Sequence, residues 1–234
     1  MGQPRRSVPQ NVSRLVARLA STVKAAIFDL DGTLLPGTSA EREFIRFALQ
    51  TGKQTAPAAI RTFLSWVVRI PTRGIQSNKT YFSGVEMDLL AETTETFCQQ
   101  QLTRHIPDQA QRLIAAHRTA GDCLGIVSGA PEILIAPLKD LLDLDFVVGT
   151  TLACKQGRLT GDLDSPRVSG REKIRQADQV ARVCEFDLRE STAYGNAFDD
   201  RFLLAEVARP VVVNPDIRLA RLARKKNWPI CVFS

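Results

Sequence analysis

Four apolar residues, Ala25-Ala26-Ile27-Phe28, run straight into Asp29-Leu30-Asp31-Gly32. A strand with one wet face alternates polar and apolar residues, whereas this run has nothing to offer water on either side. It therefore reads as a strand buried on both faces, which requires helices above and below a mostly parallel sheet. Later apolar runs agree: CLGIVS ending at Ser128, LDFVVG (144–149), STAYG (191–195), PVVVN (210–214) and WPICVF (228–233), with helical stretches between them. Strands alternating with helices give an α/β, doubly wound parallel sheet. In such sheets ligands bind at the loops leaving the carboxyl ends of the strands. Asp29 and Asp31 stand at such an end, and Gly32 lets the chain turn tightly behind them. Side chains at i and i+2 of an extended chain point the same way, so both carboxylates face one site. Crowded carboxylates repel unless a cation or a proton relieves them. The plain alternative is an acidic turn with no chemistry.

Helical patterns fill the stretch after this first strand: EREFIRFALQ, AAIRTFLSWVVRI and VEMDLLAETTETFCQQQLTRH. They read as an insert over 36–106, between core segments 23–35 and 107–234. Helix QAQRLIAAHRTAG follows with Gly121 as its C-cap, and Pro131 and Glu132 open another helix after Ser128. TTLACKQGRLTG reads as a hairpin turning at Gln156-Gly157. A helix over 171–183 and the basic helix DIRLARLARKK complete the pattern. Residues 1–22 form an N-terminal extension, polar to residue 10. Val12, Leu15, Val16 and Leu19 then fall at helical spacing with Arg14 and Arg18 between them. That stripe fits either a helix packed on the core or a basic membrane contact.

The net charge of +6 and pI near 9.3 favour anionic partners. Nucleic acid is not indicated, because no basic stripe interleaves with aromatics, which make up only 6% of residues. Five scattered cysteines without a C-x-x-C pair, beside two histidines, point to reduced thiols in a cytoplasmic protein and away from a zinc site. No apolar run reaches membrane-spanning length, and no apolar signal core begins the chain.

Three further pieces lie at the ends of later strands. Ser128-Gly129-Ala130 brings a hydroxyl and backbone N–H groups that can hold a phosphate oxygen. Lys173, in SGREKIR, brings a positive charge to a helix start, although a lone lysine also fits a solvated surface. Gly195-Asn196-Ala197-Phe198-Asp199-Asp200 brings the oxygen-rich side chains that suit a hard cation such as Mg2+. In this order the four pieces resemble the haloacid dehalogenase superfamily, in its phosphoserine-phosphatase-like branch (subfamily IB). The resemblance covers about 24–234 and implies a Rossmann-like parallel sheet flanked by helices, with a small inserted helical cap. It also implies a Mg2+-dependent phosphatase acting through an aspartyl-phosphate. Asp29 is then the nucleophile and Asp31 the general acid and base. Ser128, Gly129 and Lys173 hold the phosphate. Mg2+ rests on Asp29, the backbone carbonyl of Asp31, Asn196 and Asp200, with Asp199 a second candidate.

Two positions depart from that branch. Its last motif usually begins Gly-Asp, where this chain has Gly195-Asn196, so one negative charge is missing and weaker metal binding is expected. A catalytically weak binding or regulatory protein is the corresponding alternative. The glutamate that meets the ammonium of phosphoserine is replaced by Thr38, beside Ser39, with Glu41 the nearest acid; phosphoserine is accordingly disfavoured. Phe63, Leu64, Trp66, Val67, Val68 and Ile70, ringed by Arg61, Arg69 and Arg73, read either as a cap helix burying its apolar side or as a lip for a lipid phosphate such as phosphatidylglycerophosphate. The expected partner is a phosphorylated small molecule or lipid, with peripheral membrane contact as the second possibility.

Overall fold

The computed structural model describes residues 23–55 and 79–233. The amphipathic stripe at 12–19 and the apolar stretch at 63–70 lie outside them. Strand β1 (Ala25–Phe28) occupies the middle of a six-stranded, all-parallel sheet. It pairs on one side with β2 (Cys123–Pro131), which pairs with β3 (Phe146–Thr150). The chain then crosses to the other side of β1 and adds β6 (Thr192–Gly195), β7 (Arg209–Val213) and β8 (Ile230–Cys231). Between the halves a separate antiparallel hairpin forms from β4 (Leu152–Lys155) and β5 (Arg158–Leu163). Its turn takes left-handed Gln156 and Gly157, the backbone that a two-residue hairpin loop needs.

Burial on both faces is literal. Ala26, Phe28, Leu124, Ile126 and Tyr194 join one apolar cluster, while Ala25, Ile27, Val127, Ala193 and Val212 join the other. The first cluster is covered by α1 (Ala40–Thr55), α2 (Met87–Gln100) and α3 (Asp108–Ala120), whose Phe44, Phe47, Leu90, Phe97, Ala110 and Ile114 belong to it. Residues of the inserted stretch thus share a core with the sheet. Two short helices, α4 (Glu132–Ile135) and α5 (Leu138–Leu141), break around Pro137, which cannot donate within a continuous helix. The second cluster is covered by α6 (Arg171–Val183), α7 (Arg201–Glu206) and α8 (Ile217–Lys226).

Three local expectations change. Strand β2 does not end at Ser128 but continues to Pro131, because Pro131 still pairs with Thr150 beyond an irregularity in the register. The last strand shrinks from six residues to Ile230–Cys231, at an edge where only β7 offers a partner. The acidic pair does not lie on one extended segment. After Phe28 the chain folds into a turn in which the Leu30 carbonyl accepts from the N–H groups of Thr33 and Leu35.

Candidate active site

Chain order changes direction between β1 and β6, and the crevice at such a switch point lies outside the carboxyl ends of the strands. Asp29 leaves β1 there, and its N–H donates to the carbonyl of Tyr194 at 2.9 Å, which ties the start of the loop to β6. Its carboxylate is buried and held at both oxygens. Thr33 Oγ1 donates to Oδ2 at 2.9 Å, and Lys173 Nζ donates to Oδ1 at 2.5 Å. The same ammonium reaches Asp200 Oδ1 at 2.6 Å. Lys173 is therefore no solvated surface group: 4% exposed, it sits at the start of α6 between two buried carboxylates.

Burial pushes the Asp29 carboxyl up to about 7; Lys173 opposes the shift, and the charges of Asp200 and Asp31 add to it. Burial also works against the Lys173 ammonium, but Asp200 and Asp29 outweigh it and hold the amine above its usual range. Lys173 thus remains a fixed cation beside Asp29. Asp31 is raised by burial, with partial relief from the N–H of Ala40 and the charges of Lys173, Arg167 and Lys79. Its Oδ1 accepts that N–H at 2.8 Å, which sets the carboxyl at the start of α1. The shared site predicted for Asp29 and Asp31 is thus reached through a turn rather than by strand alternation.

Gly32 is the residue that permits this turn. Its φ of +82° is left-handed, and a Cβ there would lie 2.0 Å from Asn196 Nδ2. The Asn196 side chain consequently lies flat on the Asp29–Gly32 turn. Asp200 Oδ2 accepts the N–H groups of Asn196 and Ala197 at 3.0 and 2.9 Å, so this carboxylate shapes its own loop. Phe198 anchors the loop to α8: its N–H donates to Asp216 Oδ2 at 2.7 Å, and Arg201 and Arg218 each stack 4.0 Å from its ring. Asp199 points away, exposed beside Arg201 at 3.5 Å, and is not brought to the site. Ser128 is fully buried in β2, with its Oγ accepting the N–H of Ala130 at 3.2 Å and its neighbour Gly129 forming the rim.

Among the described residues no three Asp, Glu, His or Cys side chains gather as a metal cluster. The arrangement explains why: Lys173 fills the space between Asp29 and Asp200, and residue 196 is an amide. The oxygen donors that meet here still suit Mg2+, which ordinarily takes one or two carboxylates and completes its shell with water and phosphate. They are the buried Asp29 carboxylate, the Oδ1 of Asn196, whose Nδ2 lies nearer Gly32, and the backbone carbonyls of the same turn.

Two residues join the site that no motif signalled. Lys79, 1% exposed, donates to both carboxylate oxygens of Glu41 at 2.6 Å. Arg167 lies over the rim, its Nε 3.2 Å from where a Cβ on Gly129 would stand. Thr33, directly after Gly32, adds the hydroxyl that holds Asp29 Oδ2. Thr38, where the resemblance places a glutamate, donates instead to Glu43, which also takes Arg46 at 2.6 Å and Gln101 at 3.2 Å. Its hydroxyl is engaged by the structure around α1.

The model of the haloacid dehalogenase-like hydrolase family matches residues 26–205. A histidinol-phosphatase of Neisseria meningitidis serogroup C is 26% identical over 219 residues, spanning 89% of this chain and 98% of its own. A phosphoserine phosphatase of Mycobacterium tuberculosis is 26% identical over 217 residues, spanning 89% and 70% respectively. In fold, the chain resembles a Bordetella pertussis protein of unknown function, with a TM-score of 0.73 at 24% identity, covering 90% of this chain and 98% of that one. Among the described residues no helix is long and apolar enough to cross a membrane.

Proposed function

The chain belongs to the haloacid dehalogenase-like hydrolases, and from that premise we propose that it is a Mg2+-dependent phosphatase that hydrolyses a small phosphomonoester through a phosphoaspartate on Asp29. One observation carries the reading. Asp29 is buried at a strand end with Thr33 on one oxygen and Lys173 on the other, and Lys173 is itself fixed by Asp200. A nucleophile needs such fixed aim, because a misdirected carboxylate forfeits most of the advantage of proximity.

Asp29 attacks phosphorus, the bond to the leaving oxygen breaks, and a carboxyl proton from Asp31 passes to the departing alkoxide. Asp31, now ionised, takes a proton from the water that hydrolyses the phosphoaspartate and so regains its starting state. Its raised pKa supports the acid role, since the proton persists at higher pH than on an exposed aspartate. Lys173, Ser128 and the N–H groups beside Gly129 offset charge on the transferring oxygens. Asp29, the Asp31 carbonyl and Asn196 would hold Mg2+, with Asp200 keeping the Asn196 loop and Lys173 in place. When bound, the cation supplies Lewis-acid neutralisation of phosphate charge. The insert over 36–106 is proposed as the cap that limits access to the crevice.

Two relatives bear phosphatase names with small phosphorylated amino compounds, which supports a small-molecule substrate. The lipid-phosphate reading rested on 63–70, outside the described residues. The decisive measurement is phosphate release from p-nitrophenyl phosphate by the full chain, with Mg2+ and with EDTA. Mg2+-dependent turnover that Asp29→Asn abolishes is expected. Turnover that survives in Asp29→Asn, or none with Mg2+ present, rejects the reading.

A further inference from the structure

A metal ligand on a loop is placed by whatever holds the backbone of that loop. Two carboxylates hold the loop that carries Asn196. Asp200 Oδ2 accepts the N–H groups of Asn196 and Ala197 at 3.0 and 2.9 Å. Asp216 takes two more groups: its Oδ2 accepts the N–H of Phe198 at 2.7 Å, and its own N–H donates to the carbonyl of Asn196 at 2.9 Å. The peptide units before and after Ala197 are thereby both tied to one residue at the start of α8. Asp216 also has a local task as the N-cap of α8, where its Oδ1 accepts the N–H of Leu219 at 2.7 Å. A carboxylate can do both, because it has two acceptor oxygens and no donor. The cap needs only one of them, and asparagine or serine caps a helix about as well as aspartate does. The second oxygen serves the loop.

We propose that Asp216 is a positioning residue for the cation: by tying the Asn196 carbonyl and the Phe198 N–H to the start of α8, it sets the Asn196 side chain against the Asp29–Gly32 turn, where Oδ1 would meet Mg2+. This rests on the phosphatase reading above and adds to it a residue that no motif marks. The contact it maintains is close, since a Cβ on Gly32 would stand 2.0 Å from Asn196 Nδ2 and 3.3 Å from Oδ1. Mg2+ demands near-ideal octahedral geometry, so a displaced oxygen loses much of its value as a ligand. Asp216 is well suited to a test because it is exposed. Unlike Asp200, it is not among the charges that act on Asp29 and Lys173, so changing it leaves the electrostatics of that pair in place.

The test is a double-mutant cycle on the full chain, read as Mg2+ binding by isothermal titration calorimetry without substrate. Asp216→Asn keeps one acceptor oxygen for the cap and turns an NH2 group, which only donates, toward the Phe198 N–H. Asp216→Ser keeps the cap with a hydroxyl and stands in should the amide fail to fold. Each is expected to weaken Mg2+ binding by about tenfold, the low end of what is lost when a group supporting a metal ligand is removed. In an Asn196→Ala background, where no amide is left to aim, the same changes should weaken it by less than about twofold. Thermal melting in EDTA reads the cap separately. A variant that melts lower but binds Mg2+ as its parent does would make Asp216 a helix cap and nothing more, which overturns the proposal. Equal losses of affinity with and without Asn196 overturn it too, because Asp216 would then act on another ligand. If the unaltered chain neither binds Mg2+ nor releases phosphate from p-nitrophenyl phosphate, the phosphatase reading itself has failed, and the positioning role falls with it.

Discussion

Lys173→Met removes one charge from the centre of the site while nearly conserving side-chain volume, so its effect reports electrostatics rather than a cavity. Asp29 Oδ1 and Asp200 Oδ1 touch the same nitrogen, at 2.5 and 2.6 Å. They therefore lie within about 5 Å of each other, and at an effective dielectric of about 20 two like charges so placed repel by about 3 kcal/mol. Removing one partner of a buried ion pair costs about 3–5 kcal/mol for the same reason. A loss of about that size is expected at pH 8 by urea unfolding followed by circular dichroism, in EDTA. The pH dependence gives the sharper test. Burial has already lifted Asp29 from 3.8 to about 7, against the opposition of Lys173, and losing that cation lifts it further. Above pH 4 the unfolded chain sheds this proton while the folded one keeps it, so the contribution of Asp29 to stability falls with rising pH. In the unaltered chain the fall ends near 7; in the variant it continues beyond. The gap between the two proteins should thus be small at pH 5 and largest at pH 8. An equal loss at both pH values, or a variant as stable as its parent at pH 8, would refute the electrostatic account.

Three other outcomes follow from the same geometry. Gly32→Ala forces a side chain into a left-handed turn 2.0 Å from the Asn196 amide, and should cost about 2 kcal/mol or more by thermal melting and lower kcat with it. Asn196→Asp returns a carboxylate to the Asp29 turn and should tighten Mg2+ binding about tenfold by isothermal titration calorimetry, in line with an added ionic ligand; unchanged affinity would remove Asn196 from the metal-binding set. Burial pushes the Cys98 thiol up to about 12, so a disulfide reagent should label exposed Cys154 in the native protein and reach Cys98 only after unfolding.

The order of elements was legible in the sequence because it rests on local signals. A short apolar run without alternation that ends in a turn reads as a strand covered twice, and Ala25–Phe28 is one. Gly121 closes its helix in the left-handed conformation, and Gln156-Gly157 turns its hairpin, because backbone chemistry at those positions is decided within a few residues. The places of Asp29, Lys173 and the Asn196–Asp200 loop were legible too, since each stands just beyond a strand or at a helix start, whereas Ser128, read as a strand end, lies inside β2. Other features depended on segments far apart in the chain. Lys173 alone cannot be told from a surface lysine; its burial follows from two carboxylates 144 and 27 residues away. Nothing local marks Arg167 or pairs Lys79 with Glu41, because those neighbours exist only once the hairpin and α1 close over the crevice. The sequence by itself determined which groups line the carboxyl edge of the sheet. Only the tertiary structure decided which of them are buried and which charge answers which, because Coulomb energy depends on distances and solvent exposure that chain order does not contain.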